Sequence, residues 1–128
     1  MAKPYYVKFE VPEDLSAATY EAIRVAAQTG KVKKGTNEAT KAIERATSQL
    51  IVIAEDVEPP EVVAHLPIIC EEQKAAYAFV PNKQDLGKAL GIDVTSAAAA
   101  ILDAGDAKHI VDEVVASMAK IKAGNSEK

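Results

Sequence analysis

The run LIVIA, residues 50–54, constrains this chain more than any other stretch. It is continuously apolar and β-branched at its centre, with no alternation of exposed and buried positions. That pattern is the signature of a strand covered on both faces rather than a half-solvated one. A strand covered twice needs a layer of other elements on each side, which points to helices above and below a sheet. AYAFV, 76–80, reads as a second strand of the same kind.

Helical patterns alternate with these runs. Residues 14–28 place Leu15, Ala18, Ile23, Ala26 and Ala27 at helical spacing, and Gly30 ends the segment. KVKKG, 31–35, is at most a short edge strand. Thr36 to Ser48 forms the next helix, with Ala39, Ala42, Ile43 and Ala46 as its core stripe. Pro59 and Pro60 precede a short helix, EVVAHL, which Pro67 should close. NKQDLGKALG is a short helix stopped by Gly91. SAAAAIL has helical propensity, but between a loop and the clear final helix AKHIVDEVVASMAKIKA it reads as a strand of small residues under close-packed helices. The tail GNSEK should fray. The expected fold is α/β, a three-layer α/β/α sandwich with a small mixed β-sheet. It occupies one domain, 1–128, with its core at about 14–120.

The 48% hydrophobic content suits a folded protein. No window approaches an 18-residue apolar span, and MAKPYYVKFEVPEDL lacks the apolar core of a secretory signal. Cys70 is the single cysteine, so no internal disulfide can form. The expected setting is cytoplasmic, without membrane contact. A net charge of −4 argues at first against a nucleic-acid partner, but the charge is unevenly placed. From Lys31 to Arg45 there are five basic residues and two acidic ones; from Glu55 to Gln73 there are six acidic residues and no Lys or Arg. Phosphates respond to the local field within about 8 Å at physiological salt.

Catalytic signals are sparse. His65 and His109 are far apart, the first read as structural and the second as part of a solvated face; Cys70 reads as a small buried hydrophobe. Glu55, Asp56, Glu58 and Glu61 follow a strand end, where a carboxylate cluster could hold Mg²⁺ and support a small metal-dependent enzyme. The plainer reading is that Asp56 or Glu58 caps the following helix. No catalytic residue, metal ligand, cofactor or small-molecule substrate is assigned.

KKGTNEATKAIERA, 33–46, is more informative. A capping box on Thr36 would need an acid or amide at Ala39, and Glu38 reaches the matching position only if Gly35 is the cap. Capping therefore uses one or two of the polar groups, and the others are surplus. Asn37, Lys41 and Arg45 recur every four residues as one row, with Glu38 beside it. The row leaves a helix N-terminus, whose N–H groups suit phosphate oxygens. An amide, a carboxylate and an ammonium can together match donors and acceptors on base edges. Taken alone, the row reads first as an exposed, salt-bridged helix face.

Longer segments decide between these readings. GTNEATKAIERA, IVIAEDVEPPEVVAHLPIICEE, AYAFVPNKQDLGKALG and IDVTSAAAAI, in that order and spacing, resemble the archaeal large-subunit ribosomal protein family L-seven-Ae, over roughly residues 14–120. The resemblance implies the sandwich fold already reached and binding rather than catalysis. The expected ligand is the kink-turn, a sharply bent helix–bulge–helix RNA with tandem sheared G·A pairs, or the related kink-loop. Such RNAs would occur in 23S-type ribosomal RNA and in box C/D and H/ACA guide RNAs, and in many members of the family also in ribonuclease P RNA. Guide-RNP core proteins would assemble on the complex.

The resemblance assigns base reading to Asn37, Glu38 and Lys41. Gly35 and Thr36 provide close approach of the chain, Arg45 reaches phosphate, and Lys34 counts among the RNA-binding residues. A second region, around a flipped-out nucleotide, falls on Glu58, Val62 and Lys83, and a third, against unstacked bases, on Ile92, Asp93 and Val94. Two positions depart from the family pattern. Ala46 stands where glycine is usual, which should cost little if the backbone there is helical. Thr95 stands where proline is usual, which should leave that loop more mobile.

Overall fold

Strand β2 (Leu50–Ala54) is buried along its whole length, as its unbroken apolar run requires. In the computed structural model it pairs in parallel with β3 (Tyr77–Val80) and antiparallel with β4 (Ala98–Asp103). The short β1 (Lys31–Lys34) joins the free side of β4 antiparallel, so the order across the mixed sheet is β1-β4-β2-β3. The structure describes residues 6, 7 and 11–126, and of 124–126 only the backbone.

Helices cover both faces. Helix α1 (Glu13–Thr29) packs against α4 (Lys83–Leu90) and α5 (Lys108–Ser126) on one side, and α2 (Thr36–Glu44) packs against α3 (Glu61–Gln73) on the other. The alanine run is a strand, as expected. Ala98, Ala99 and Ala100 of β4 are fully buried, and α1 and α2 contact this strand from opposite sides. Larger side chains there would hold the two helical layers apart. The same closeness excludes a side chain at Gly30, where a Cβ would lie 2.0 Å from the Asp103 carbonyl oxygen. The charged edge strand β1 exposes three lysines, a composition that discourages pairing with another sheet.

Three expectations need correction. First, Pro67 does not close α3, which continues to Gln73 with the proline inside it. Pro67 removes one helical hydrogen bond and costs about 3 kcal/mol in an isolated helix. Here Val63, Leu66, Pro67 and Cys70 all face the core, and burying an aliphatic side chain stabilises by about 1.5–3 kcal/mol each, so packing wins. Burial also pushes the Cys70 thiol up to about 12, consistent with an inert core residue. Second, α5 continues past Ala123 to Ser126, so residues 124–126 of the expected frayed tail are helical; 127 and 128 lie outside the described residues.

Third, α2 ends at Glu44 rather than Ser48, and Ala46 leaves the core stripe for solvent. Arg45 is the C-cap, and Ala46 has φ +56°, in the left-handed region. The Ala46 N–H donates to the Ile43 carbonyl (3.1 Å) and the Thr47 N–H to the Ala42 carbonyl (3.0 Å). Those two bonds define a Schellman termination, whose left-handed position favours glycine. The alanine is therefore not cheap, because the backbone there is not helical. Ala46→Gly should raise unfolding free energy by about 0.5–1 kcal/mol, relief of left-handed strain outweighing the added freedom of the unfolded chain. Urea denaturation checks this: the midpoint should rise with the slope unchanged.

Candidate nucleic-acid interface

Because β1, β2 and β3 run in one direction and β4 against them, four loops meet at one rim of the sheet. The segments after β1, β2 and β3 and the segment before β4 all emerge there. Their ends are tied: the Gly35 N–H donates to the Ala98 carbonyl (2.8 Å), Ala54 N–H to Ala97 (3.0 Å), and Glu55 N–H to Val80 (2.9 Å). Apart from Lys34, the last residue of β1, and Arg45, just past the end of α2, every candidate RNA-binding residue lies on these segments or on the helices they start. The topology thus brings together groups that are up to sixty residues apart in sequence.

Gly35 is the N-cap of α2, with φ +97°, a conformation glycine adopts without strain. No side chain caps this helix. Neither Thr36 nor Asn37 is spent on the helix end, and the first-turn N–H groups are left for an outside partner. Glu38 and Lys41 pair with each other at 3.3 Å, both substantially exposed. Such a surface pair is worth at most about 1 kcal/mol, so either partner can be traded for a ligand. Asn37 is exposed on the same turn. Lys41 and Arg45, with Lys33, line a shallow hollow of about 40 Å³ bordered by Glu38 and Thr47. Lys33 was not among the candidates. Strand alternation could have found it, since Lys33 and Lys34 point to opposite faces of β1.

The other two regions flank this helix end on the same rim. Glu58 is exposed in the loop after β2, and Val62 is 41% exposed on the first turn of α3. Val94 is 69% exposed between α4 and β4, with Ile92 partly buried and Asp93 exposed beside it. Apolar side chains left open on a polar rim suit the faces of unstacked bases better than water. The 91–97 loop is tied at both ends, by the Ile92 N–H on the Gly87 carbonyl (3.1 Å) and the Ser96 N–H on the Lys83 carbonyl (3.1 Å). Gly87 permits the contact, since a Cβ there would lie 2.1 Å from the Val94 carbonyl oxygen.

The carboxylates after β2 have a different job from the one their order in the chain implies. Asp56 does not cap α3, whose N-cap is Pro60 without a side-chain bond. It instead accepts the Lys83 N–H of α4 at 2.8 Å. Asn82 caps the same helix by accepting from the Asp85 N–H at 2.7 Å, and the Tyr20 hydroxyl bonds both the N–H and the carbonyl of Asn82 at 3.2 Å. Among the described residues, no group of three or more His, Cys, Asp or Glu side chains is placed to hold a metal ion. The field of Glu55, Asp56 and Glu58 is felt by Tyr6. Burial first and those carboxylates second push its hydroxyl up to about 12, and it donates to the Ala54 carbonyl at 2.8 Å. His65 lies within α3 rather than at its end and shares a 3.0 Å hydrogen bond with Thr40 of α2; His109 pairs with Glu113 on the exposed side of α5.

Comparison with known proteins fits this arrangement. Residues 17–111 match the Ribosomal protein L7Ae/L30e/S12e/Gadd45 family. The chain belongs to that family. It is 77% identical over 127 residues to the "Large ribosomal subunit protein eL8" of Nitrosopumilus maritimus (strain SCM1), covering 99% of each chain. It is 78% identical over 122 residues to the protein of the same name from Cenarchaeum symbiosum (strain A), covering 95% of this chain and 96% of that one. Among solved structures it superposes on the "Giardia lamblia 15.5kD RNA binding protein" with a TM-score of 0.84 at 32% identity, over 95% of this chain and 98% of the other.

The cap on α4 gives a direct stability test. Asn82→Ala removes the side-chain acceptor for the Asp85 N–H while keeping the backbone bonds to Tyr20. It should destabilise the protein by about 1 kcal/mol, read as a lowered denaturation midpoint.

Proposed function

We propose that this chain is an archaeal large-subunit ribosomal protein that binds RNA at the rim, and that the structure it recognises is the kink-turn. The observation that carries the reading is the uncapped N-terminus of α2, with Asn37, Glu38, Lys41 and Arg45 on one side of it and none of their side chains spent on capping it. A sheared G·A pair leaves guanine O6, N7 and part of its Watson–Crick edge unpaired. Lys41 and Asn37 donate to the acceptors, and Glu38 accepts from an N–H. Gly35 and Thr36 let the backbone approach closely, with Lys34 beside them. Arg45 reaches phosphate, Glu58, Val62 and Lys83 border a flipped-out nucleotide, and Ile92, Asp93 and Val94 lie against unstacked bases. The relatives named as eL8 and the RNA-binding protein of the same fold support a ribosomal and RNA-binding role, and hence the cytoplasm as its setting.

On this reading the protein works by population shift. It binds the bent RNA alone and contributes its affinity to bending. The same kink-turns and kink-loops in box C/D and H/ACA guide RNAs and in ribonuclease P RNA would be further ligands, with guide-RNP core proteins docking on the composite surface. One domain of 128 residues performs this task, without cofactor or catalytic step.

A gel shift compares a kink-turn RNA with the same RNA whose G·A pairs are replaced by Watson–Crick pairs. Strong preference for the first is expected, and equal binding to both would sink the proposal. Glu38→Ala should weaken kink-turn binding by about 1–3 kcal/mol and shrink that preference, as for a side chain reading a base edge. Arg45→Ala should leave the preference in place and reduce the slope of log affinity against log salt by roughly 0.7–0.9, as for one lost phosphate contact. A salt slope identical to the unmutated protein's would remove Arg45 from the phosphate contacts.

A further inference from the structure

The three contact regions are joined by a series of hydrogen bonds that passes through the backbone of Lys83. The Lys83 N–H is held by Asp56, from the loop that carries Glu58, and the Lys83 carbonyl is held by the Ser96 N–H, from the loop that carries Ile92–Val94. Ser96 is buried, and its hydroxyl donates to the Ala98 carbonyl at 2.8 Å, the same oxygen that accepts the Gly35 N–H at the start of α2. One hydrogen-bonded chain therefore runs Asp56–Lys83–Ser96–Ala98–Gly35 across the rim.

We propose that Asp56 is a positioning residue for RNA binding. By clamping the first N–H of α4 it fixes Lys83 relative to Glu58 and to the 92–94 loop, so that the rim meets its ligand as one preformed surface. The inference rests on the RNA-binding reading above and assigns a role to a carboxylate that a phosphate-binding surface would otherwise do better without. The helix end accounts for the choice of residue. Asn82 accepts from the third N–H of α4 but cannot reach the first, and a carboxylate at that point also meets the positive end of the helix dipole. With both positions filled from within the protein, α4 offers RNA the Lys83 side chain rather than its backbone. Helix α2 does the opposite.

Charge alone predicts the reverse of this role, which makes the test sharp. Asp56→Ala and Asp56→Asn remove the same negative charge, and near RNA both should tighten binding equally if charge were all that mattered. Only the asparagine keeps an oxygen that can accept the Lys83 N–H. The full-length protein is used with a kink-turn RNA and its G·A-replaced control. Asp56→Ala is expected to bind the kink-turn about three- to tenfold more weakly than Asp56→Asn, the range for one exposed hydrogen bond. In a Lys83→Ala background that gap should close. In the free protein, the Lys83 amide should exchange with solvent faster in Asp56→Ala than in Asp56→Asn or the unmutated chain. Equal affinity of the two Asp56 variants overturns the proposal, as does a gap that survives Lys83→Ala or an unchanged exchange rate. Should the unmutated protein fail to prefer the kink-turn, the RNA reading fails instead, and the amide exchange still decides whether Asp56 holds Lys83.

Discussion

The arrangement depends on two central strands, β4 and β2, that are buried on both faces and differ in side-chain size. Strand β2 supplies bulk through Ile51, Val52 and Ile53, all fully buried. Strand β4 supplies thinness through Ala98, Ala99 and Ala100, which let α1 and α2 close on the sheet. Close packing of this kind tolerates little change in volume. Its consequence lies at the rim. The Gly35 N–H, one residue beyond β1, continues the β1–β4 pairing onto the Ala98 carbonyl, so the turn that follows is fixed by the sheet rather than by its own cap. A larger residue in β4 would move that turn as a unit.

The two helices that start at the rim treat their N-termini in opposite ways. Helix α4 fills its first and third N–H groups from Asp56 and Asn82. Helix α2 begins on a glycine with no capping side chain. With glycine at the cap position in place of Ser, Asn or Asp, the loss is only about a few tenths of a kcal/mol. That sacrifice is sensible where an outside oxygen takes the place of the cap. It also separates the two helix ends physically: α2 leaves its first-turn backbone and side chains open together, whereas α4 has the Lys83 backbone held from within the protein.

Much of this was legible in the sequence, for identifiable reasons. An unbroken apolar run such as 50–54 has only one cheap environment, and the glycine stops at Gly30 and Gly91 fall where the chain turns. The unspent polar groups of residues 36–45 also show, because capping has a fixed residue requirement that they exceed. What the sequence hides are interactions whose two halves lie far apart. Asp56 looked like a cap for the next helix, since local spacing is visible and its true partner, Lys83, lies 27 residues away. Pro67 looked like a helix end, because its local cost can be read from the sequence and the burial offsetting it cannot. Ala46 hid a Schellman turn for the same kind of reason: glycine would have announced a left-handed residue, and alanine masks it.

The acidic residues at the rim complete the physical case for selective binding. A surface built to hold any RNA would be uniformly basic, since each phosphate contact adds affinity regardless of sequence. Here Glu38, Glu58 and Asp93 stand among the lysines on exposed or half-exposed positions. Against the phosphates of an ordinary duplex, which present only charged acceptors, these carboxylates are repelled. Against a base edge with an unpaired N–H, the same carboxylate gains a charge-assisted hydrogen bond. The difference between those two outcomes is specificity achieved by penalising the wrong partner as well as rewarding the right one. A net charge of −4 is then compatible with RNA binding. On the proposed reading, general affinity for phosphate is given up and recovered only where a bent RNA turns its unpaired edges outward.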